Sequence, residues 1–228
     1  MVDNNNFMYR NITNQKVVDF MNTLYFPQDE EMERFRAEAE ADRVPIVQRD
    51  AEKFLTMMVG LVQPKNILEV GTAVGYSGAC MLKAFPGSDL YTFEKNEESF
   101  EKAKANFEKL GLADRVHLFL GDADAEIRKL PEDLMFDFAF IDAAKGHYRD
   151  FTEAALPHMR HGGDIVCDNM LFQGRVVSDE YDPTGRYKTE VKKLRQFVDW
   201  LFERKDLETR FFSVGDGITV TKVMKKQG

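Results

Sequence analysis

The segment Ile67-Leu-Glu-Val-Gly-Thr-Ala-Val-Gly-Tyr-Ser-Gly78 is the strongest indication of architecture in this 228-residue chain. Its apolar start is typical of a short buried strand, and Gly71, Gly75 and Gly78 allow a tight turn into a helix. A strand, a glycine turn and a helix N-terminus form the cradle in which nucleotide-like cofactors bind. Ala73 occupies the place where a dinucleotide fingerprint needs its second glycine, which makes room for a pyrophosphate. The segment therefore favours a nucleoside cofactor without phosphates.

From residue 66 onward, short β-rich runs alternate with helical patterns. The sequence predicts strands over 67–70, 90–93, 116–119, 136–141 and 164–167, and helices over 77–85, 97–110, 123–130 and 148–159. Alternation of this kind indicates βαβ crossovers and a parallel sheet covered on both faces. A helix over 187–204 and strands over 210–214 and 218–223 follow, and the last two strands suggest an antiparallel hairpin. We therefore expect an α/β fold with a mostly parallel seven-stranded sheet.

The first 63 residues have a different pattern, with helical periodicity over 14–24, 29–42 and 50–61. Pro45 interrupts the pattern after the second of these stretches. The chain contains no internal repeat or low-complexity linker. We therefore predict a single domain, 1–228, in which a helical N-terminal extension (1–63) precedes an α/β core (64–228).

Composition restricts the possible classes of function. No apolar run approaches the ~20 residues that span a bilayer, and the first six residues, Met-Val-Asp-Asn-Asn-Asn, lack the features of a secretory signal. Cys80 and Cys167 have no metal-type spacing, so we expect free thiols and a cytoplasmic protein. The net charge of −8 argues against non-specific nucleic-acid binding but leaves room for a local basic patch.

Polar residues follow the predicted strands at the edge where ligands of such folds bind. Glu94 ends the second strand, where a carboxylate can accept both hydroxyls of a ribose, and Gly121-Asp-Ala123 follows the third. Together with the glycine segment, these residues predict a cofactor site.

Asp142 ends the fourth predicted strand, and Asp168 and Asn169 end the fifth. Two carboxylates and an amide oxygen suit a hard divalent cation such as Mg²⁺, with Mn²⁺ or Ca²⁺ as alternatives. Lys145 lies three residues beyond Asp142, where a nearby dication disfavours its protonated form and would allow it to remove a substrate proton. The alternative for an isolated Asp-Asn pair is a turn or a helix cap.

These residues resemble the cation-dependent O-methyltransferases that use S-adenosylmethionine, the family that includes caffeoyl-CoA and catechol methyltransferases. The resemblance rests on Val44-Pro-Ile46, ILEVGTAVGYS, FIDAAKGHY, DNMLFQGRV and the terminal GDG, and it covers nearly the whole chain. It implies a Rossmann-like class I methyltransferase fold, usually as a homodimer. It also implies that S-adenosylmethionine is bound by Val44, Glu69, Gly71, Ser77, Glu94, Ala123 and Asp142. By the same resemblance, the metal is bound by Asp142, Asp168 and Asn169, and the catalytic residues are Lys145 and Asp142.

Within the family, the bacterial branch that methylates 5-hydroxyuridine at the wobble position of tRNA is the most similar. FIDAAKG, DNMLFQG and the basic segment before the last helix carry this resemblance. His147 departs from the Gln usual in that branch, and Arg10-Asn-Ile-Thr13 is an additional stretch. A 5-hydroxyuracil presents two oxygens on neighbouring carbons, much like a catechol.

A tRNA partner, contacted at its anticodon arm, requires a basic surface. Lys188, Lys192 and Arg195 fall on one face of the last predicted helix, with Arg186 and Lys193 nearby. The alternative is an ordinary solvated helix face. Tyr187 or Phe172 could stack on an unpaired base, or could equally be packing residues.

Three rival functions share part of this pattern. The first keeps the chemistry and replaces tRNA with a small catechol or hydroxycinnamoyl-type phenol. The second is an NAD-dependent oxidoreductase, against which Ala73 and the Asp-Asp-Asn trio argue. The third is a catalytically silent S-adenosylmethionine-binding protein, which would not need the metal trio or Lys145.

Overall fold

A computed structural model of the protein describes residues 14–224. The additional stretch at residues 10–13 lies outside these described residues. Within them, the structure is a single seven-stranded sheet with helices on both faces.

The sheet has the strand order β3-β2-β1-β4-β5-β7-β6. The first five strands along the chain are parallel, whereas β7 runs antiparallel to both β5 and β6. This topology confirms the predicted α/β fold and its final hairpin. The strands are β1 Asn66–Val70, β2 Asp89–Glu94, β3 Val116–Leu120, β4 Phe136–Ile141, β5 Met159–Cys167, β6 Leu207–Phe212 and β7 Ile218–Val223.

Helices cover both faces of the sheet. Successive side chains of the central strands point to opposite faces, so each of these strands contributes to two cores. Ile67 packs into one core with the second to fifth helices, and Leu68 packs into the other core with the sixth to eighth. The α-helices within residues 14–224 are α1 Gln15–Leu24, α2 Glu30–Ala41, α3 Arg49–Val62, α4 Tyr76–Ala84, α5 Glu97–Lys109, α6 Ala123–Ile127, α7 Tyr148–Ala155 and α8 Lys188–Glu203.

Several predicted boundaries are wrong, among them the end of α6 at Ile127 and the start of β5 at Met159. At two places strand pairing is the reason. The helix expected over 148–159 ends at Ala155, because a 3₁₀ turn containing Pro157 follows and β5 already begins at Met159, which pairs with Phe136. Strand β6 begins at Leu207, three residues earlier than expected, because Leu207 pairs with Val223 at the far end of the hairpin. In both places, tertiary strand pairing overrides the local pattern.

Helices α2 and α3 contribute to the first of the two cores, and α1 packs against α3. Asp29 caps α2 by accepting the Met32 N–H at 2.9 Å, and its other carboxylate oxygen lies 2.7 Å from Lys83 Nζ of α4. Phe35 of α2 contacts Tyr76 of α4 with 5.3 Å between ring centroids. Among the described residues, no helix is both long and apolar enough to cross a membrane.

Candidate active site

A cavity of about 430 Å³ opens at the carboxyl ends of the parallel strands. It lies where the strand order reverses between β1 and β4, the usual ligand position in open α/β sheets. The predicted residues that line it are Gly71, Ser77, Glu94, Ala123, Asp142, Lys145, Asp168 and Asn169. The fold therefore brings the predicted cofactor and metal residues into one cavity.

Two predicted cofactor residues, Val44 and Glu69, are not among those that line the cavity. Val44 packs against the core, and the next four residues, 45–48, line the cavity instead. The Pro-Ile pair after Val44 was the sequence signal for this wall.

The glycine turn is pressed against the start of the loop that follows β4. Gly71 has φ +101°, and a Cβ atom there would lie 2.0 Å from the carbonyl oxygen of Asp142. Only glycine fits at such a contact. The turn also places Ala73 at φ +47°, with its N–H 2.9 Å from the Glu94 carboxylate.

Glu94 is held in place by backbone donors. Its Oε2 accepts the Ala73 N–H at 2.9 Å, and its Oε1 accepts the Asn96 N–H at 2.8 Å. A carboxylate fixed in this way at the end of β2 can still accept hydrogen bonds from two neighbouring hydroxyls of a ribose.

Glu69 lies beneath the cavity and is fully buried. Its carboxylate accepts the Ser77 hydroxyl at 2.6 Å and the Thr92 hydroxyl at 2.6 Å, and Thr92 is paired in turn with Thr72. Burial raises the pKa of Glu69 to about 7, although the two hydroxyl donors act in the opposite direction. Glu69 therefore orients the first turn of α4 through Ser77.

The acidic side of the cavity is built from the ends of β4 and β5. Hydrogen bonds to neighbouring strands fix the residues that end β4 and β5. Asp142 N donates to Val70 O at 3.0 Å, and Asp168 N donates to Ile141 O at 3.1 Å. Asp168 is 2% exposed, and burial together with the nearby Asp142 charge raises its pKa well above the ordinary range. Two carboxylates that repel each other in this way create a site that favours a cation.

Lys145 lies in a 3₁₀ turn between β4 and α7. Its Nζ donates to Asn169 Oδ1 and lies 3.4 Å from Asp142 Oδ1 and 3.5 Å from the Tyr148 hydroxyl. One ammonium group thus contacts two of the three predicted metal ligands. These oxygens already attract positive charge, and hard oxygen donors fit a divalent cation. Over residues 14–224, no three His, Cys, Asp or Glu side chains cluster as a metal site.

The terminal GDG motif holds the loop that carries Asn169. The buried Asp216 accepts the Gln173 N–H at 2.6 Å through its carboxylate and the Leu171 N–H at 2.9 Å through its carbonyl. At Gly217, with φ +84°, a Cβ atom would lie 2.5 Å from Leu171 Cγ. Residues far downstream of the predicted metal ligands therefore hold the loop that follows Asn169, a link that strand and helix patterns in the sequence do not reveal.

The predicted basic face on α8 is only partly available for binding. Lys188, Lys192 and Lys193 are exposed, but Arg195 donates to the carbonyls of Val176 at 2.8 Å and Arg175 at 2.9 Å. Arg195 thus holds the loop before α8.

The two aromatic residues proposed for base stacking pack against each other. The rings of Phe172 and Tyr187 meet edge to face at 5.2 Å, and the Arg175 guanidinium lies 4.7 Å from the centre of the Tyr187 ring. Packing within the loop is therefore the role that the structure gives them.

His147 lines the cavity wall, and its Nδ1 lies 3.0 Å from Asp150 Oδ2. Phe151, one helical turn further, lines the same wall and is 7% exposed. Sequence reasoning missed Phe151 because a buried aromatic residue on a helix is usually a core residue.

The fold, the cavity and the resemblance define a class, the S-adenosylmethionine-dependent O-methyltransferases, and comparison with known proteins agrees. The sequence model of the O-methyltransferase family matches residues 26–224. The chain belongs to this family. The finding confirms the expected enzyme class and does not support the NAD-dependent alternative.

Individual relatives give the same result. Caffeoyl-CoA O-methyltransferase 2 of Petunia hybrida is 31% identical over 182 residues, which cover 76% of this chain and 74% of the relative. The structure is similar to that of a putative caffeoyl-CoA O-methyltransferase from Staphylococcus aureus, with a TM-score of 0.81, 28% identity and coverage of 92% and 98% of the two chains. It is also similar to an O-methyltransferase from Bacillus cereus solved in complex with SAH, with a TM-score of 0.80, 27% identity and coverage of 91% and 97%.

Proposed function

We propose that this enzyme moves the methyl group of S-adenosylmethionine to one of two adjacent oxygens on its acceptor, with the help of a divalent cation. The observation that carries the proposal is the presence of Asp142, Lys145, Asp168 and Asn169 in the same cavity as the glycine turn and Glu94. Oxygen ligands that suit a metal, next to a site that suits a nucleoside, fit methylation of a hydroxyl whose neighbouring oxygen can also bind the metal.

The cofactor half of the cavity is the glycine turn and its surroundings. When bound, S-adenosylmethionine supplies an electrophilic methyl group on a sulfonium sulfur. Glu94 would accept the ribose hydroxyls, and Ser77 would present its backbone at the N-terminus of α4. Glu69 would keep this turn in place from below.

The metal half would be held by Asp142, Asp168 and Asn169. A bound Mg²⁺, or Mn²⁺ or Ca²⁺ in its place, orients the acceptor and makes its hydroxyl more acidic. The buried Asp168 would gain most from it, because a dication would offset the repulsion between its carboxylate and that of Asp142.

Lys145 would move the proton. Its Nζ is held by Asn169 and Asp142 at the cavity wall, within reach of an acceptor lying beside these oxygens. As a neutral amine it would take the proton of the acceptor hydroxyl, and the oxygen would form a bond to the methyl carbon. The carbon–sulfur bond would break, and its electron pair would remain on sulfur in S-adenosylhomocysteine.

For the acceptor we infer 5-hydroxyuridine at the wobble position of tRNA. Supporting this, Lys188, Lys192 and Lys193 are exposed on α8, and Lys193 approaches the active-site turn, with its Nζ 3.7 Å from where a Cβ of Gly146 would lie. Three lysines beside the catalytic turn suit a polyanionic acceptor even in a protein of net charge −8. A tRNA acceptor would place the enzyme in the cytoplasm.

A small phenol is the second candidate acceptor. In its favour, the plant relatives at 31% identity are named caffeoyl-CoA O-methyltransferases. The cavity also has apolar walls at Ile46 and Phe151 that could contact an aromatic ring.

The deciding experiment measures transfer of labelled methyl from S-adenosylmethionine, with Mg²⁺, into two acceptors in parallel. One is tRNA that carries 5-hydroxyuridine, and the other is a panel of catechols and hydroxycinnamoyl phenols. Label in tRNA that is lost with EDTA would support the tRNA proposal. Label only in the phenols would move the enzyme to small-molecule metabolism, and undiminished transfer in EDTA would contradict the metal mechanism.

We also propose that the enzyme forms a homodimer. Large apolar side chains are exposed on α1 and α3, which pack together, and in the segment that follows α1: Phe20, Leu24, Phe26, Met57 and Leu61. Light scattering coupled to size-exclusion chromatography tests this directly. A dimer that dissociates when Phe20 and Leu24 are changed to Lys would support the proposal, and a monomeric wild-type protein would refute it.

A further inference from the structure

A buried polar network lies behind the cavity wall, and neither the methyl transfer nor the metal site accounts for it. Its centre is an ion pair between Arg36 of α2, 5% exposed, and Glu52 of α3, 0% exposed. Arg36 Nη2 lies 2.6 Å from Glu52 Oε2, and the Nε of the same guanidinium lies 3.2 Å from that oxygen.

The same guanidinium also reaches two cavity-lining residues, while its Nη1 donates to Glu40 at 2.9 Å. Its Nη2 donates to the carbonyl of Val47 at 2.8 Å, and its Nε donates to the Tyr76 hydroxyl at 3.0 Å. The Tyr76 hydroxyl donates in turn to Glu52 at 2.7 Å, and the guanidinium lies 4.8 Å from the centre of the Tyr76 ring. Val47 belongs to the wall segment 45–48, and Tyr76 opens α4 directly after the glycine turn.

The wall segment is held by Arg36 as well as by the packing of Ile46 and Val47 against the first core. It connects α2 to α3, and the neighbouring backbone bonds lie at its two ends, from Val44 N to Ala39 O at 2.9 Å and from Glu52 N to Gln48 O at 2.7 Å. Between them, the bond from Arg36 to Val47 joins the middle of the segment to the helix layer. Side-chain donors with planar, fixed geometry are suited to holding backbone in one place.

The charges in the network are maintained despite burial. Burial acts to raise the pKa of Glu52, but hydrogen bonds from Tyr76 and Gln28 and the attraction of Arg36 outweigh it, so this pKa lies below its ordinary value. Replacing a buried ion pair by apolar residues of similar volume often costs no stability. Stability alone therefore does not explain why a pair of this kind is placed behind the cavity.

We propose that Arg36, fixed by Glu52, is a positioning residue for S-adenosylmethionine: it holds the wall segment 45–48 and Tyr76 in the conformation that the bound cofactor requires. The inference rests on the proposed assignment of this cavity to S-adenosylmethionine. A wall that is ordered before binding spares the cofactor the cost of ordering it, so the effect falls on affinity and leaves chemistry at saturation unchanged.

The test compares three variants with the wild-type enzyme. Arg36→Lys keeps the charge and loses the planar donor geometry. The double change Arg36→Met with Glu52→Leu removes the ion pair without leaving either of its charges buried and unpaired, which favours retention of the fold. The control is Glu33→Ala, which breaks another ion pair between the same two helices, Glu33–Arg49 at 2.8 Å, that ends on no cavity-lining residue.

Binding of S-adenosylmethionine and S-adenosylhomocysteine is measured by calorimetry, and backbone order by amide hydrogen exchange over 46–48. In the double variant we expect a Kd about tenfold higher, faster exchange over 46–48 and a kcat at saturating cofactor within about twofold of wild type. Arg36→Lys should lie between the double variant and wild type, and Glu33→Ala should match wild type in both readouts.

The outcomes separate this inference from the proposed function. A folded double variant with wild-type Kd and wild-type exchange over 46–48 would overturn the positioning role alone, as would an equal loss of affinity in Glu33→Ala. A wild-type enzyme without affinity for S-adenosylmethionine would overturn both the cofactor assignment and this inference. If the double variant failed to fold, Arg36→Lys would decide, since unchanged affinity and exchange there would also refute the role.

Discussion

Changing Glu69 to Gln should make the enzyme more stable at alkaline pH. The carboxylate is fully buried and accepts hydroxyl donors from Ser77 and Thr92. A glutamine has nearly the same shape, and its amide can donate to Thr92 if Thr92 donates to Thr72 in turn. The substitution therefore removes a buried charge while keeping the hydrogen bonds that hold the cofactor turn.

The size of the effect follows from the pKa of Glu69, which burial raises from its ordinary value of 4.5 to about 7. The folded state then holds the proton more tightly than the unfolded state. The stabilisation that this proton contributes is fully present below pH 4.5 and is lost as the pH rises through 7. At about 1.36 kcal/mol for each pKa unit, the total loss is about 3 kcal/mol, of which about 2.5 kcal/mol falls between pH 5 and 8.5.

Urea unfolding of wild type and variant, measured from pH 5 to 8.5 without cofactor, tests this reasoning. The free energy of unfolding of Glu69→Gln should gain about 2.5 kcal/mol on wild type across this range, in order of magnitude. Glu108→Gln changes an exposed carboxylate on α5 and should follow the wild-type curve. Parallel curves for wild type and Glu69→Gln would show that the buried carboxyl does not titrate in this range, and would refute the argument.

The other predictions concern the active site and the basic face. Asp168→Ala should abolish turnover and leave the calorimetric Kd for S-adenosylmethionine within about threefold, because the residue is assigned to the metal. Lys145→Ala should lower kcat by roughly 10²–10⁴-fold, the usual effect of losing a general base, with a much smaller change in cofactor affinity. Changing Lys188, Lys192 and Lys193 together to Glu should weaken tRNA methylation and flatten its salt dependence, by about 0.7–0.9 in log–log slope for each lost phosphate contact.

Matched controls make these results interpretable. For the basic face, the control changes Lys102, Lys104 and Lys109 on α5 to Glu, which alters the net charge equally at another exposed helix. Equal losses of tRNA methylation in both triple variants would refute a local docking face. For the metal site, retention of activity by Asp168→Ala would contradict its assignment. A loss of cofactor affinity equal to the loss of kcat in Lys145→Ala would assign that lysine to binding.

The sheet could be predicted from the sequence because both of its signals are local. Short, nearly continuous apolar runs mark the central strands, in which Ile67 and Leu68 are both buried on opposite faces. In a parallel sheet, polar residues at strand ends converge at one edge. This is why the strand pattern alone was enough to predict that Asp142 and Asp168 lie close together. Boundaries set by pairing with a distant strand, such as the start of β6 at Leu207, carry no local signal.

Side-chain direction was the other source of error. Glu69 lies near the end of β1, at the edge of the sheet where the cavity opens. Its side chain nevertheless lies beneath the glycine turn, where the hydroxyls of Ser77 and Thr92 donate to it. Arg195 fits the periodicity of an exposed basic face, but two carbonyls of the preceding loop, 19 and 20 residues away along the chain, use its donors. A helical pattern gives the face on which a residue lies and does not reveal a loop folded back against it.

The charges of the cavity agree with the proposed chemistry when they are counted together. Four carboxylates line it, Glu94, Asp122, Asp142 and Asp168, against the two lysines Lys95 and Lys145. An excess of negative charge in a partly buried cavity is unfavourable, and burial together with the Asp142 charge raises the pKa of Asp168. A sulfonium cofactor and a divalent cation both bring positive charge to such a cavity and draw on the same carboxylates, so each should bind less tightly when the other is present. Calorimetric titration of S-adenosylmethionine with and without Mg²⁺ should show this coupling, and Asp168→Ala should remove it. If S-adenosylmethionine and Mg²⁺ bind independently to the wild-type enzyme, the carboxylates do not share their charge between the two sites.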